Sequence, residues 1–199
     1  MNLRKLAAVI CIIGITSSVT AFADDAFEWV KAKKVKVSVN GSSMGTSALL
    51  TEDGSTMLPL RDIANQLQGM VEWDDKTQTV KVYKPNVHVS LLLAKDPKNM
   101  IPFGDVEKGK HEFVIFTQVD SIYNKISAIK TTIEDPFGDT VYTYEDEVKD
   151  HKENLWMTTP TIELNFKQVG KYTVKIYMKP EGSKQYALVS QKVIRSLAP

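Results

Sequence analysis

Three histidines, a run of carboxylates and three tryptophans carry most of the chemical reach of this 199-residue sequence. His88, His111 and His151 stand far apart, and none forms the short-spaced pair that brings two imidazoles onto one metal. They read as solvated or structural histidines. Glu145, Asp146, Glu147, Asp150 and Glu153 form an acidic run, interrupted by Lys149, His151 and Lys152. A hard cation such as calcium needs several oxygen ligands, but the run lacks the alternating acidic positions and turn glycine of a calcium loop. A solvated loop is expected, with calcium as the alternative. Trp29, Trp73 and Trp156 have rings broad enough to stack on a sugar. Trp73 alternates with charged neighbours at a strand end and is expected in a core. Trp156, beside the acidic run, is the candidate ligand surface.

No Gly-x-Ser-x-Gly elbow, phosphate loop or His-Glu-x-x-His helix occurs, and no base is spaced to activate a nucleophile. No catalytic residue, cofactor or metal ligand is assigned on these grounds.

The elements that position these residues begin between Val35 and Lys84. Val35, Val37 and Val39 alternate with Lys36 and Ser38, the period of a half-buried strand. Asn40-Gly41 then predicts a type I′ hairpin turn, and Asp53-Gly54 a second turn of the same kind. Pro59 suits the start of a helix, on which Leu60, Ile63, Ala64 and Leu67 share one face and Gly69 supplies the stop. Val71 and Trp73, then Val80 and Val82, form a closing hairpin about Asp74-Asp75-Lys76-Thr77. The order predicts a small antiparallel α+β domain with one helix.

Val39-Asn40-Gly41, Asp53-Gly54-Ser55-Thr56-Met57-Leu58-Pro59-Leu60-Arg61, Val71-Glu72-Trp73-Asp74 and Thr79-Val80-Lys81-Val82 resemble the copper amine oxidase N-terminal-like domain of bacterial exported proteins. Gln68 departs from the pattern, since the family has a leucine-glycine pair at the helix end and Leu67 here comes one residue early. The resemblance implies an α+β module of cell-envelope proteins, often set beside enzymatic or wall-binding domains. It does not imply amine oxidation, whose modified tyrosine and copper-binding histidines belong to another domain.

At the start of the chain, Arg4 and Lys5 precede the apolar run Leu6 to Ile15, and Ala21-Phe22-Ala23 supplies a small-x-small cleavage site. That is the grammar of a secretory signal peptide, with an apolar run too short to span a membrane. Cleavage before Asp24 removes Cys11, so the mature chain has neither disulfides nor cysteine-ligated metal. Removing Arg4 and Lys5 from the 25 basic residues leaves 23 against 24 acidic ones, a net of −1. Such a chain has no global electrostatic reason to bind nucleic acid. Lys31, Lys33, Lys34 and Lys36 cluster locally and read as a solvated edge strand, with anionic wall polymer as the alternative contact.

Beyond Val87 to Leu93, a further strand, the prolines and glycines of residues 95–111 predict a linker. From Glu112 onward short apolar strands follow at near-regular spacing, predicting an all-β immunoglobulin-like sandwich. The expected organisation is therefore a signal peptide over 1–23, a leader over 24–33, the α+β domain over 34–94, a linker over 95–111 and the sandwich over 112–199. The expected function is that of a secreted, non-enzymatic envelope module binding cell-wall polymer or an envelope protein. An enzyme or accessory subunit with a site between the two modules is the alternative. Arg61, a cation in the first helical turn, sits against the macrodipole, so a structural clamp to Asp74 or Asp75 is expected.

Overall fold

Residues 30–96, 99–149 and 153–199 are described by a computed structural model of the chain. Strand dominates, with one short helix among the described residues, and no helix there is long and apolar enough to cross a membrane. The signal segment, Trp29 and His151 lie outside the described residues. The chain divides into two compact units, one holding the described residues up to Ser38 with Ser42–Leu58, the other Val39–Gly41 with Pro59–Pro199.

In the first, β1 (Ala32–Val39), β2 (Ser42–Thr51) and β3 (Thr56–Met57) form a three-stranded sheet in that order. Asn40 and Gly41 both take positive φ, 51° and 80°, as the type I′ turn requires. The second turn differs from its expectation. Only Gly54 is left-handed, at φ 85°, while its N–H reaches Thr51 O at 3.1 Å and Thr51 N–H reaches Ser55 O at 2.9 Å. The turn is therefore type I closed by a glycine bulge. Asp53 selects it, since its carboxylate accepts the Thr51 hydroxyl and the Ser55 N–H. Those bonds hold the Asp53 carboxyl below the ordinary aspartate range.

The second unit opens with α1 (Leu60–Gln66), entered from Pro59 at φ −67°. Gly69 N–H bonds Ala64 O at 2.7 Å and Gln68 N–H bonds Asn65 O at 3.1 Å, a Schellman ending. The left-handed position falls on Gln68, at φ 59°, one residue before the expected glycine. Gly69 serves a different need, because a Cβ there would stand 3.2 Å from Tyr83 O. On α1, burial falls on Ala64 and partly on Ile63, while Leu60 and Leu67 stay exposed.

Next come β4 (Met70–Asp74) and β5 (Thr79–Tyr83), a hairpin pairing Val71 with Val82 and Trp73 with Val80. This valine-tryptophan face is the outer one. Met70 and Tyr83, paired on the opposite face, join the core instead, so Trp73 is 45% exposed and the expected core tryptophan is not one.

The remaining strands are β6 (Asn86–Asp96), β7 (Asn99–Pro102), β8 (Asp105–Glu107), β9 (Gly109–Asp120), β10 (Ile126–Glu134), β11 (Thr140–Glu147), β12 (Leu155–Thr158), β13 (Ile162–Phe166), β14 (Gly170–Pro180) and β15 (Ala187–Leu197). One sheet runs β12-β9-β6-β7, with β13 also on β9, and the other runs β11-β10-β14-β15-β8. All these pairings are antiparallel except β15 with β8. The two sheets share one core, in which Phe113, Ile115, Ile129, Phe166, Tyr172 and Ile176 are fully buried.

The stretch 95–111 is not a linker. It contains the end of β6, all of β7 and β8 and the start of β9. β6 pairs with β9 from Asn86↔Asp120 to Leu93↔Phe113, so the strand assigned to the first module is central to a sheet of the second. Proline and glycine there punctuate strand ends: Gly109 has φ 142°, and Phe103 packs edge-on against Phe113 with ring centroids 5.4 Å apart.

Candidate functional site

On the short edge strand β12 burial alternates: Leu155 and Met157 face the core, and Trp156 faces out, 71% exposed. Its Cα partner is Gln118 of β9, and Gln118 on its other side pairs with His88 of β6. Directly opposed residues share a face, so Trp156, Gln118 and His88 form one row across three strands. At the usual strand spacing the row spans about 10 Å, the reach of one or two sugar rings. Asp120 and Asn86 form the next outward pair, and Gln118 Nε2 donates to Asp120 Oδ2 at 3.1 Å. His88 Nε2 stands 3.1 Å from Asn86 Nδ2. The row thus offers an aromatic plate beside an amide, an imidazole and a carboxylate.

The same tryptophan borders a cleft of about 240 Å³ between the ends of β11 and β12. Ile129, Leu155 and Met157 give it apolar lining, and Asp146, Glu147 and Lys149 also line it. Val148 N–H bonds Ser127 O at 2.9 Å and pins the chain as it leaves β11.

The carboxylates of the acidic run do not converge. Glu145, Asp146 and Glu147 belong to β11, where successive side chains point to opposite faces. Glu145 is engaged by the Tyr186 hydroxyl, and among the described residues no three His, Cys, Asp or Glu side chains gather as a metal set. His111 lies apart from the Trp156 row, its Nε2 2.7 Å from Glu107 O and its ring edge-on to Phe166.

The Arg61–Asp74 clamp is not formed. Asp74 pairs with Lys81 across its own hairpin at 2.8 Å and accepts the Lys76 and Thr77 N–H groups at 3.0 and 3.3 Å. Lys81 first, then Thr77, hold the Asp74 carboxyl at about 2. The hairpin satisfies its own aspartate, and Arg61 lies exposed, with no ion pair among the described residues. Asp75 instead accepts the Trp73 indole N–H. Trp156 is legible in the sequence, whereas Gln118 and His88 join it only through strand register, which is not written in any one segment.

No curated protein matches the chain. The segment that holds α1, the β4–β5 hairpin and β6 does match a family model. Residues 36–97 carry a copper amine oxidase N-terminal-like domain.

Proposed function

We propose that this is an exported, non-enzymatic binding protein of the cell envelope, which holds a polyhydroxylated wall polymer on the sheet face around Trp156. The observation that carries this reading is the exposure of Trp156 in register with Gln118 and His88. A flat ring left 71% open on an edge strand has no packing role, and its neighbours supply donors and acceptors suited to hydroxyl groups. Asp146 and Glu147 line the cleft that Trp156 borders. Export is supported by the Arg4-Lys5 flank, the apolar run and Ala21-Phe22-Ala23. The copper amine oxidase N-terminal-like segment does not by itself define an activity.

Within the same proposal the two-sheet body is immunoglobulin-like. Tyr172, at the start of β14, accepts the Gln168 backbone N–H at 3.2 Å on its hydroxyl, four residues upstream. A tyrosine corner of immunoglobulin-like sandwiches makes that bond where the chain turns from one sheet to the other. Co-sedimentation of the purified protein with purified cell wall tests the function. Saturable pelleting, competed by soluble wall glycan, is expected; a protein that stays in the supernatant at every wall concentration contradicts it.

A further inference from the structure

We propose that a groove on the outer face of the β11-β10-β14-β15-β8 sheet is a second carbohydrate site, which takes a neutral polyhydroxylated chain on the side of the body opposite Trp156. The groove, about 370 Å³, runs between the end of α1 and strands β14 and β15. Asn65, Gln66, Gln68 and Gln191 line it with side-chain amides, and Tyr177 and Tyr186 with rings. Each amide offers a donor and an acceptor side by side, the match for vicinal hydroxyls, while the rings offer apolar faces to a sugar.

Its parts are held in place. The Tyr186 hydroxyl donates to Glu145, and the Lys130 ammonium lies 3.9 Å over the same ring and 5.1 Å from that of Tyr177. Lys130 pairs across its sheet with Glu145 on one side and Tyr177 on the other, so this cation is engaged with the sheet. The groove lining itself is uncharged, and the two ammoniums beside it, Lys130 and Lys179, lie over the Tyr186 ring at 3.9 and 5.6 Å, which favours a neutral ligand over an anionic one. Gln68 is an independent sign. It holds the left-handed backbone position, φ 59°, where glycine is the low-energy choice, and its place lines the groove. An extended peptide is read mainly through a backbone ladder at a sheet edge. Side-chain amides over a sheet face fit a sugar chain better.

Tyr177 and Lys130 alternate with the buried Ile176, Met178 and Ile129, and Gln118 with the buried Thr117 and Val119, so the two sites look out from opposite sides of one core. One molecule can therefore bridge two polymer chains, with the gain in avidity that two linked contacts bring.

Titration of the isotope-labelled protein with an N-acetylglucosamine tetramer, followed by amide chemical shifts, tests the site. Saturable shifts are expected at Gln68, Leu188 and Gln191 in the natural protein and equally in Trp156→Ala. Tyr177→Ala and the surface change Gln191→Ala each weaken this phase at least about five-fold while shifts at Gln118 persist. Groove shifts without any at Gln118 support the groove and count against the Trp156 site. Unchanged affinity in Gln191→Ala, or no saturable shift in the groove, overturns the proposal. A response there to a polar peptide and not to the tetramer overturns it in favour of a protein partner.

Discussion

Phe166 and Tyr172 meet edge to face, with ring centroids 4.8 Å apart and planes at 70°. Phe166 ends β13 in one sheet and Tyr172 is the third residue of β14 in the other, so the pair joins the two sheets where the chain crosses between them. Phe166 also lies 6.1 Å from Phe113, and all three rings are fully buried. Phe166→Ala should destabilise the body by about 3–5 kcal/mol, the usual loss for a buried phenylalanine that leaves a cavity. Chemical denaturation checks it. A loss below about 1 kcal/mol would show that the crossing is held by something other than this pair.

Gln68→Gly should raise stability by about 0.5–1 kcal/mol, because glycine relieves the left-handed strain at the Schellman position without removing the Ala64 and Asn65 bonds. Thermal melts of the two proteins measure it. Gly69→Ala should do the reverse, since its Cβ would press on Tyr83 O, a backbone atom that cannot step aside.

Folding should follow the observed units. A fragment spanning residues 59–199 keeps every strand of both sheets and should melt cooperatively. A fragment spanning 112–199 lacks β6, the partner of β9 over eight residue pairs, together with β7 and β8, and should be unfolded or aggregated. Circular dichroism of the two fragments decides it, and a cooperative melt of the shorter one would restore the boundary near residue 111.

Much of this was legible in the chain and some was not, for physical reasons. Tyr172-Thr-Val-Lys-Ile-Tyr-Met178 alternates cleanly because one face is core and the other is solvent, and it is β14. Asn40-Gly41 specifies its turn through two positive φ angles, a purely local demand. β11 was hidden because its last three residues, Glu145, Asp146 and Glu147, are acidic and read as a solvated loop, while Tyr142 and Tyr144 before them pack against the core. The β4–β5 hairpin shows a sharper limit. Its periodicity marks two faces but does not say which is buried, and here the face with more apolar side chains is the outer one. Trp156 was visible as a candidate, whereas Gln118 and His88 entered the site only through pairing among three distant strands.

Asp74 should give the small hairpin a distinct acid response. Its carboxyl is depressed from the ordinary 3.8 to about 2, chiefly by the Lys81 hydrogen bond. A depressed folded value means that the contribution is present above the ordinary carboxylate range and is lost as pH falls through about 2. Asp74→Asn should therefore melt lower than the natural protein at neutral pH, with the gap closing as pH falls from about 4 to 2. Arg61→Lys should leave the melt unchanged throughout, since no ion pair among the described residues holds the guanidinium. Melting curves across that pH range, with both variants, settle the two points together.

Wall recognition turns on Trp156, and wall pelleting of two tryptophan variants measures it. Trp73 is also exposed, but it sits in the two-stranded β4–β5 sheet with its indole N–H bound to Asp75, not in the sheet that carries the Gln118 row. Trp156→Ala should weaken binding to purified cell wall at least about five-fold, as the loss of an exposed aromatic anchor does. Trp73→Ala should bind as the natural protein does, and both should keep native melting curves. Undiminished pelleting of a folded Trp156→Ala protein would contradict the assignment of this face as the recognition surface.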